Sequence, residues 1–391
     1  MISKRLKQLR LARGLSLDAL AAKMGGLITK QAISKYELDK AKPSPVVLNK
    51  LAAVLGVKSA YLWCDPAIKV RFIAYRKGSG LLKKEQAKVE AFVVNALEGR
   101  IRLHDITRQN DGSCIPVQKL KIRKVEHAEE AAEKLRSNWN LGLDPIADMT
   151  GVLEDHLVHV FEVTAREKFD GISAVAYDRE NKVKAAAVVS RRGVPGERQR
   201  LNLAHELAHL VLKTPNNVNE EKAAFRFGAA FLVPAVAIYR EVGNKRAFIQ
   251  PEELIMLKQR FGLSIQALLY RMHDLGVITD SYYKQWCIDI NRMKWKKKEP
   301  CELASEHSNW LRKNVLRALA EELITNEEAE KLLGESLQDR EHLSFIERRS
   351  FMKLSLEERR RIMAEQAEKT IPYYGHDSDT KQVQGGDIIE Y

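Results

Sequence analysis

The chain has 391 residues, a length that predicts two or three domains rather than one small core. Hydrophobic residues make up 45% and charged residues 30% of it, which excludes a mainly disordered or fibrous protein. The net charge is +13, and no apolar run reaches the roughly 18–20 residues of a membrane span. The N-terminal MISKRLKQLRLARG is charged where a secretory signal needs an apolar core, so we expect a cytoplasmic protein with no membrane partner.

Positive charge is concentrated at the start of the chain. Residues 1–64 carry twelve Lys or Arg side chains against three Asp or Glu side chains, a net charge of +9. Such a field predicts a polyanionic partner, with nucleic acid the first candidate. A merely soluble basic surface is the alternative.

Positions 3–63 predict four or five short helices. Ser3, Ser16 and Thr29 stand where N-caps belong. The helix that Thr29 opens, KQAISKYE, turns Ile33 and Tyr36 inward. Its outward residues are Lys30, Gln31, Ser34 and Lys35. A helix, a glycine-containing turn and a second helix with long polar residues near its start suit the DNA major groove.

These segments resemble the XRE (phage-repressor-like) helix-turn-helix family, over LRLARGLSLDALAAKMG, ITKQAISKYE, KPS and LAAVLGV. The resemblance implies a domain at residues 1–66 that reads double-stranded operator DNA, and we expect a homodimer. The candidate DNA contacts are Lys30, Gln31, Ser34, Lys35 and Lys42. Asp39 replaces a glycine common in the family, and Asp tolerates the left-handed backbone that the turn needs. A helical bundle that no longer binds DNA is the alternative.

Residues 67–125 are predicted to connect the first domain to a second one. They contain a strand-like segment (70–75), a long helical stretch and a turn-rich segment (106–120). Between 126 and 300, helical stretches alternate with strands predicted at 157–163, 171–177 and 184–190. This alternation indicates an α+β or α/β arrangement, of which we favour α+β.

The segment QRLNLAHELAHLVLK (199–213) contains an HExxH pattern. His205 and His209 are four residues apart, so on a helix both imidazoles share a face and can converge on one cation. Glu206 sits where it can act as general base on a metal-bound water. The rest of the helix is apolar nearly all round, and in a core these polar groups are costly unless a metal satisfies them. A structural, non-metal role for the histidines is the alternative.

The stretch NEEKAAFRFGAAFLVP (219–234) predicts a second helix with Glu221 near its start and Glu220 beside it. A carboxylate there could complete a two-His, one-Glu site and leave a fourth position for water.

Both segments resemble the ImmA/IrrE family of metallopeptidases. The resemblance implies a zincin-like domain at 126–300, with His205, His209 and Glu221 as Zn²⁺ ligands and Glu206 as the catalytic glutamate. It also implies a protein substrate, because members are associated with cleaving repressors or antitoxins. This chain departs from the family pattern at Ala208, where glycine is common, and at Phe225, where Asn is frequent.

Residues 301–391 predict a helical C-terminal extension with an extended polar tail. LSLEERRRIMAEQAE and GGDIIEY are similar to the tails of antitoxin-type proteins that wrap a partner toxin, while a solvated appendage is the alternative.

The leading hypothesis is a DNA-binding regulator whose zinc endopeptidase cleaves a repressor, an antitoxin or itself to control stress, mobile-element or defence genes. The competing hypothesis is a non-proteolytic repressor or antitoxin whose tail neutralises a toxin, with a structural or inactive metal site. An unrelated metal-dependent hydrolase would not need the N-terminal domain.

Overall fold

The computed structural model describes residues 2–73, 83–107, 115–165, 169, 171–337 and 351–374. The chain divides into two compact units, one ending at Ala318 and the other beginning at Leu319. The first unit contains a helical head followed by a sheet with helices on both faces. The predicted multidomain organisation, with a helical N-terminus and an α+β region after it, is confirmed.

The head is built from short helices that bury one apolar face each. They are α1 (Ile2–Ala12), α2 (Leu17–Lys23), α3 (Lys30–Glu37), α4 (Pro45–Val54) and a 3-10 helix (Ser59–Leu62). Ser16 and Thr29 cap α2 and α3 as predicted, each accepting the backbone N–H three residues on. The cap predicted at Ser3 is wrong, because α1 begins one residue earlier and Ser3 is buried within it. Asp39 has φ 59°, so the turn keeps its left-handed backbone without glycine.

A four-stranded sheet forms the centre of the first unit, with strand order β1-β4-β5-β3, and a separate parallel pair joins β2 and β6. The strands are β1 (Lys69–Phe72), β2 (Leu120–Lys121), β3 (Val158–Val163), β4 (Gly171–Tyr177), β5 (Val183–Arg191) and β6 (Leu212–Lys213). β3 is parallel to β5, whereas β4 is antiparallel to both β5 and β1. Ala187 and Val189 pack in the cluster of α5 (Lys83–Thr107), while Ala186 and Val188 pack on the opposite face. The sheet is therefore buried on both sides.

Two helices that pack closely together cover that opposite face. α8 (Gly196–Val211) lies on β4 and β5 and contacts α9 (Glu220–Leu232), which also contacts α6 (His127–Asn138). Gly228 allows the approach of α9, since a Cβ at this position would lie only 3.2 Å from the backbone N of His205. The other helices of this region are α7 (Met149–Asp155), α10 (Ala235–Val242), α11 (Pro251–Phe261), α12 (Ile265–Asp274), α13 (Asp280–Arg292) and α14 (Trp310–Ala320).

An irregular segment at residues 302–309, which we call the strap, crosses the start of α8. Leu303 O accepts the backbone N–H of Gly196, and Glu306 Oε1 pairs with Arg200 Nε at 2.5 Å. The strap therefore belongs to the same compact unit as α8. The unit that ends at Ala318 includes the strap, while the domain boundary predicted at residue 300 stays a prediction.

The second unit contains α15 (Asn326–Leu333) and α16 (Leu356–Tyr374). Thr325 caps α15, accepting the backbone N–H of Glu328. The predicted extended tail lies outside the described residues from position 375 onward. Among the described residues, no single helix has both the length and the apolar composition needed to cross a bilayer. The helices α9 and α10 meet these two criteria only when taken together, and they are bent by 57° relative to each other.

Candidate metal centre and DNA-facing helix

The side chains of His205, His209 and Glu221 meet between α8 and α9. The Nε2 atoms of the two histidines are 3.1 Å apart. Glu221 places Oε2 at 3.5 Å from His205 Nε2 and Oε1 at 3.7 Å from His209 Nε2. The histidine side chains are 2% exposed, whereas that of Glu221 is 46% exposed. The site is therefore built on buried imidazoles and opens to solvent on the side of α9.

Glu220 orients one of these imidazoles. Its Oε1 atom lies 3.2 Å from His209 Nδ1, a distance at which Nδ1–H donates to the carboxylate. With the proton on Nδ1, the lone pair of His209 is on Nε2 and faces His205 and Glu221.

Glu206 points from α8 to the sheet and is 3% exposed. Its Oε2 atom accepts from Ser173 Oγ on β4 at 2.5 Å, and the same hydroxyl lies 3.0 Å from the backbone O of Glu206. A Cβ at Gly171 would lie 2.8 Å from Glu206 Cγ. The small residues at positions 171 and 173 therefore provide the space and the hydrogen bond that hold this carboxylate.

Phe225 lies on α9 one turn after Glu221. Its ring centroid is 4.3 Å from that of His205, with 55° between the ring planes. The residue is 43% exposed, unlike the buried Phe227 and Phe231 of the same helix. An aromatic surface therefore stands in solvent beside the histidine pair.

The residues predicted to contact DNA lie on α3 and in the turn that precedes α4. α3 carries Lys30, Gln31, Ser34 and Lys35, and Lys42 follows in the turn before α4; all are exposed except Ser34, which is half-buried. Lys30 Nζ is 3.0 Å from Asp18 Oδ1, an exposed ion pair of the kind that contributes little.

Two of the twelve basic side chains of the head are internal. Arg10 Nε pairs with Glu37 Oε1 at 2.6 Å, and Arg5, 1% exposed, pairs with Glu98 on α5. Buried arginines normally have such partners. The charge available to DNA is thus smaller than the sequence count indicates.

Comparison with protein families covers both regions. Residues 6–62 match the helix-turn-helix family model, and residues 171–273 match the model of the IrrE N-terminal-like domain, a peptidase family. The chain therefore carries one segment similar to a helix-turn-helix domain and a second segment similar to an IrrE N-terminal-like domain. The IrrE-like match runs from the start of β4 into α12, so it includes the histidine pair, Glu206 and Glu221.

One curated relative is the SPbeta prophage-derived uncharacterized HTH-type transcriptional regulator YonR of Bacillus subtilis (strain 168). It is 40% identical over 62 residues, which are 16% of this chain and 56% of the relative. The chain thus spans about half the length of this relative. The resemblance to a helix-turn-helix regulator and to an IrrE-like peptidase family, inferred from motifs, is confirmed.

The donor atoms of the IrrE-like domain fit a zinc ion. Those of His205, His209 and Glu221 all lie within 4.8 Å of one another. Ligands about 2.0–2.1 Å from a tetrahedral Zn²⁺ are themselves about 3.3 Å apart, which the distances of 3.1, 3.5 and 3.7 Å bracket. Two imidazole nitrogens and one carboxylate are also a donor set that zinc prefers.

Sequence reasoning missed three features of the site. The supports at Gly171 and Ser173 and the bond from His209 to Glu220 were not predicted. The sequence did contain a signal for the first two. Gly171 and Ser173 are small residues on the same face of the strand predicted at 171–177, a pattern that indicates a close neighbour at that face. A similar signal indicated the close packing at Gly228, because this residue is a glycine in a predicted helix whose other inward residues include large phenylalanines.

Proposed function

We propose that this chain is a DNA-binding transcriptional regulator with a zinc-dependent endopeptidase domain. Its substrate is a repressor or antitoxin-type protein, or the chain itself, and cleavage relieves control of stress, mobile-element or defence genes. The peptidase part of the proposal rests on one observation, the convergence of two buried imidazoles and a solvent-facing carboxylate within 4.8 Å. The neighbouring residue in the chain, Glu206, has its carboxylate held by Ser173. The helix-turn-helix match supports the DNA-binding half.

His205, His209 and Glu221 would hold a zinc ion, which would supply Lewis acidity toward a peptide carbonyl and a water molecule. Glu206 removes the proton of that water and returns it to the leaving amine, the usual task of a general base in this pattern. Ser173 keeps the Glu206 carboxylate in place, and Glu220 keeps the lone pair of His209 on the correct nitrogen. Of these six side chains, four bind the ion or transfer the proton and two, Ser173 and Glu220, position them.

The fusion of both domains suggests where the protein acts. An operator-binding head holds the peptidase at a promoter in the cytoplasm, so the nearest substrates are proteins bound at the same DNA. We also propose a homodimer, as two-fold operators require, and a C-terminal tail that binds a toxin or another protein partner.

Replacement of Glu206 by Gln tests the peptidase proposal. We expect the full chain to bind about one zinc with or without the change, because Glu206 is not a proposed ligand. Zinc-loaded wild type should generate new N-termini in a proteome-derived peptide library or in itself, and the variant should lose that activity by a factor of about 100 or more. Metal content and mass spectrometry of the products measure both.

The matched control is Glu252→Gln, an exposed glutamate at the start of α11, which should cleave like wild type. Loss of both histidines should remove the zinc. A zinc-loaded protein that cleaves nothing would favour the non-proteolytic regulator. Zinc retained without His205 and His209 would contradict the ligand assignment.

A further inference from the structure

A basic segment directly after α13 has no part in the proposed function. Residues 292–298, RMKWKKK, contain one arginine and four lysines, and all five of these side chains are exposed. Arg292 pairs with Asp289 at 3.1 Å. Within the residues that the structure describes, no carboxylate pairs with any of the four lysines. We call these four residues the lysine cluster: Lys294, Lys296, Lys297 and Lys298.

The backbone that carries the lysine cluster is anchored in the first unit. The half-buried side chain of Trp295 packs against the apolar core, and its backbone N–H donates to Ile290 O at 3.0 Å. Glu299 follows the cluster, and its Oε2 atom lies 3.0 Å from Nζ of the fully buried Lys258 and accepts the backbone N–H of Ile265 at 2.9 Å. The four like charges therefore stay close together, which disfavours the folded protein unless an anion neutralises them.

The end of α13 explains only part of this charge. Cations in the last turn of a helix are stabilised by the partial negative charge of its terminal carbonyl groups. Arg292 lies in that turn and Lys294 follows it by two residues. The effect falls off within about one turn, so it does not account for the three lysines at 296–298.

The residue type favours phosphate over carboxylate as the anion. Arginine offers a planar fork that matches a carboxylate, whereas the lysine ammonium is a point charge that contacts phosphate without a fixed geometry. Every cation of the segment that has no carboxylate partner in the described structure is a lysine. DNA is also the phosphate source that the head implies, because residues 6–62 match the helix-turn-helix family model.

We propose that the lysine cluster binds the phosphate backbone of double-stranded DNA, as a second contact besides the helix-turn-helix head. Phosphate contacts carry no sequence information of their own, so the cluster adds affinity for any duplex and leaves operator choice to the head. A second contact on the same chain gains from the high effective concentration of a duplex that is already bound. The choice of DNA as partner rests on the DNA-binding half of the proposed function.

The salt dependence of DNA binding measures this contact. Each phosphate that a protein neutralises adds about 0.9 to the slope of log affinity against log salt concentration. Fluorescence anisotropy of a labelled duplex of mixed sequence, about 40 base pairs long, gives this slope for the full chain between about 50 and 300 mM KCl. Replacing Lys296, Lys297 and Lys298 together by Gln should reduce the slope by about 2 to 3 and weaken binding at about 100 mM KCl by about tenfold or more.

A matched control separates a local contact from the loss of net charge. Lys134, Lys245 and Lys313 are exposed and lie in α6, after α10 and in α14. Their joint replacement by Gln changes the net charge by the same amount and should leave the slope within about 0.5 of wild type. Replacing Lys296, Lys297 and Lys298 by Arg keeps the charge and should keep the slope. Equal slopes in the two Gln variants, or a slope lost equally in the Arg and Gln variants of the cluster, overturn the proposal.

Two further measurements identify the alternatives. A glutamate-rich peptide that binds wild type as tightly as the duplex does, and loses this binding in the cluster Gln variant while the duplex does not, overturns DNA in favour of an acidic protein partner. Gln31→Ala with Lys35→Ala tests the head separately. An unchanged slope in that variant, with a reduced slope in the cluster variant, removes the head assignment and leaves the inference standing, and the reverse result removes the inference alone.

Discussion

His159 is a titratable side chain kept neutral inside the protein. It is 1% exposed, its Nδ1 atom lies 3.2 Å from Arg100 Nη1, and its ring centroid is 4.6 Å from that of Trp310. Burial, followed by the charges of Arg100 and His104, lowers the pKa of His159 well below 6.5. The guanidinium donates to the neutral ring, and Glu154 balances the arginine at 2.7 Å.

This environment predicts a loss of stability in mild acid. Below about pH 6.5 an unfolded histidine binds a proton that folded His159 does not, so the free energy of unfolding falls by up to about 1.4 kcal/mol per pH unit. Above that pH the residue has no effect. His159→Gln keeps an acceptor for Arg100 and removes the titration. Thermal midpoints at pH 7.5, 6.5 and 5.5 should therefore drop less in the variant than in wild type, and parallel profiles would contradict the assignment.

For single residues, the sequence correctly predicted those contacts whose two partners lie close together in the chain. His205 and His209 are one turn apart, and Ser16 and Thr29 bond three residues on, so spacing alone was informative. Arg5 was counted in the positive charge of residues 1–64, yet its partner is Glu98. Such a pair is invisible without tertiary structure, because nothing in either local segment distinguishes a buried cation from a surface one.

The strap is an irregular segment held in position by hydrogen bonds of its polar side chains and backbone. Glu306 Oε2 accepts the backbone N–H of Thr150 and its backbone O accepts from Gln199 Nε2, while Ser308 Oγ donates to Glu154 Oε1 at 2.6 Å. Burial acts to raise the pKa of Glu306, but the hydrogen bond and charge of Arg200 leave it lowered. An irregular segment is thus fixed to α7 and α8 through carboxylates.

The helices and strands followed hydrophobic periodicity, and α8, α9 and β4 lie close to where the sequence predicted them. The strap has no periodicity and a polar composition, so the sequence favoured a boundary there. Its order comes from hydrogen bonds to residues more than a hundred positions away, which no local pattern encodes. The domain boundaries and the catalytic roles stay predictions.

Gly196→Ala tests how closely the strap lies on α8. A Cβ at Gly196 would lie 2.2 Å from the backbone O of Ala304, so the strap must move or the start of α8 must shift. We expect a loss of about 1–3 kcal/mol, as for other overpacked sites, and faster proteolysis within 302–309. Glu302→Ala, an exposed change in the same segment, should stay within about 0.5 kcal/mol of wild type. Equal melting of both variants would show that the contact is not tight.

Across the whole first unit, α5 connects the DNA-binding head to the IrrE-like domain. The carboxylate of Glu98 forms an ion pair with Arg5, and its Oε1 atom accepts the backbone N–H of Ala67 at 3.0 Å. Its Oε2 lies 3.2 Å from the hydroxyl of Tyr61, where burial, followed by the Glu98 charge, raises the pKa of that phenol to about 12. Two residues further along α5, Arg100 bonds Glu154 and the strap residue Ser308.

From these contacts we expect the turn of α5 around Glu98 to couple the unfolding of the head to that of the IrrE-like domain. Glu98→Ala leaves Arg5 buried without its carboxylate, which should cost about 3–5 kcal/mol and release the head from α5. We expect calorimetry to show an additional early transition, and limited proteolysis to cut between residues 63 and 83, with zinc content unchanged.

Replacing the pair together, Arg5→Met with Glu98→Leu, removes both charges and should restore near-wild-type melting, because an apolar pair of similar volume often replaces a buried ion pair without loss. A single transition in Glu98→Ala at the wild-type temperature would mean that the head does not depend on α5 for its attachment.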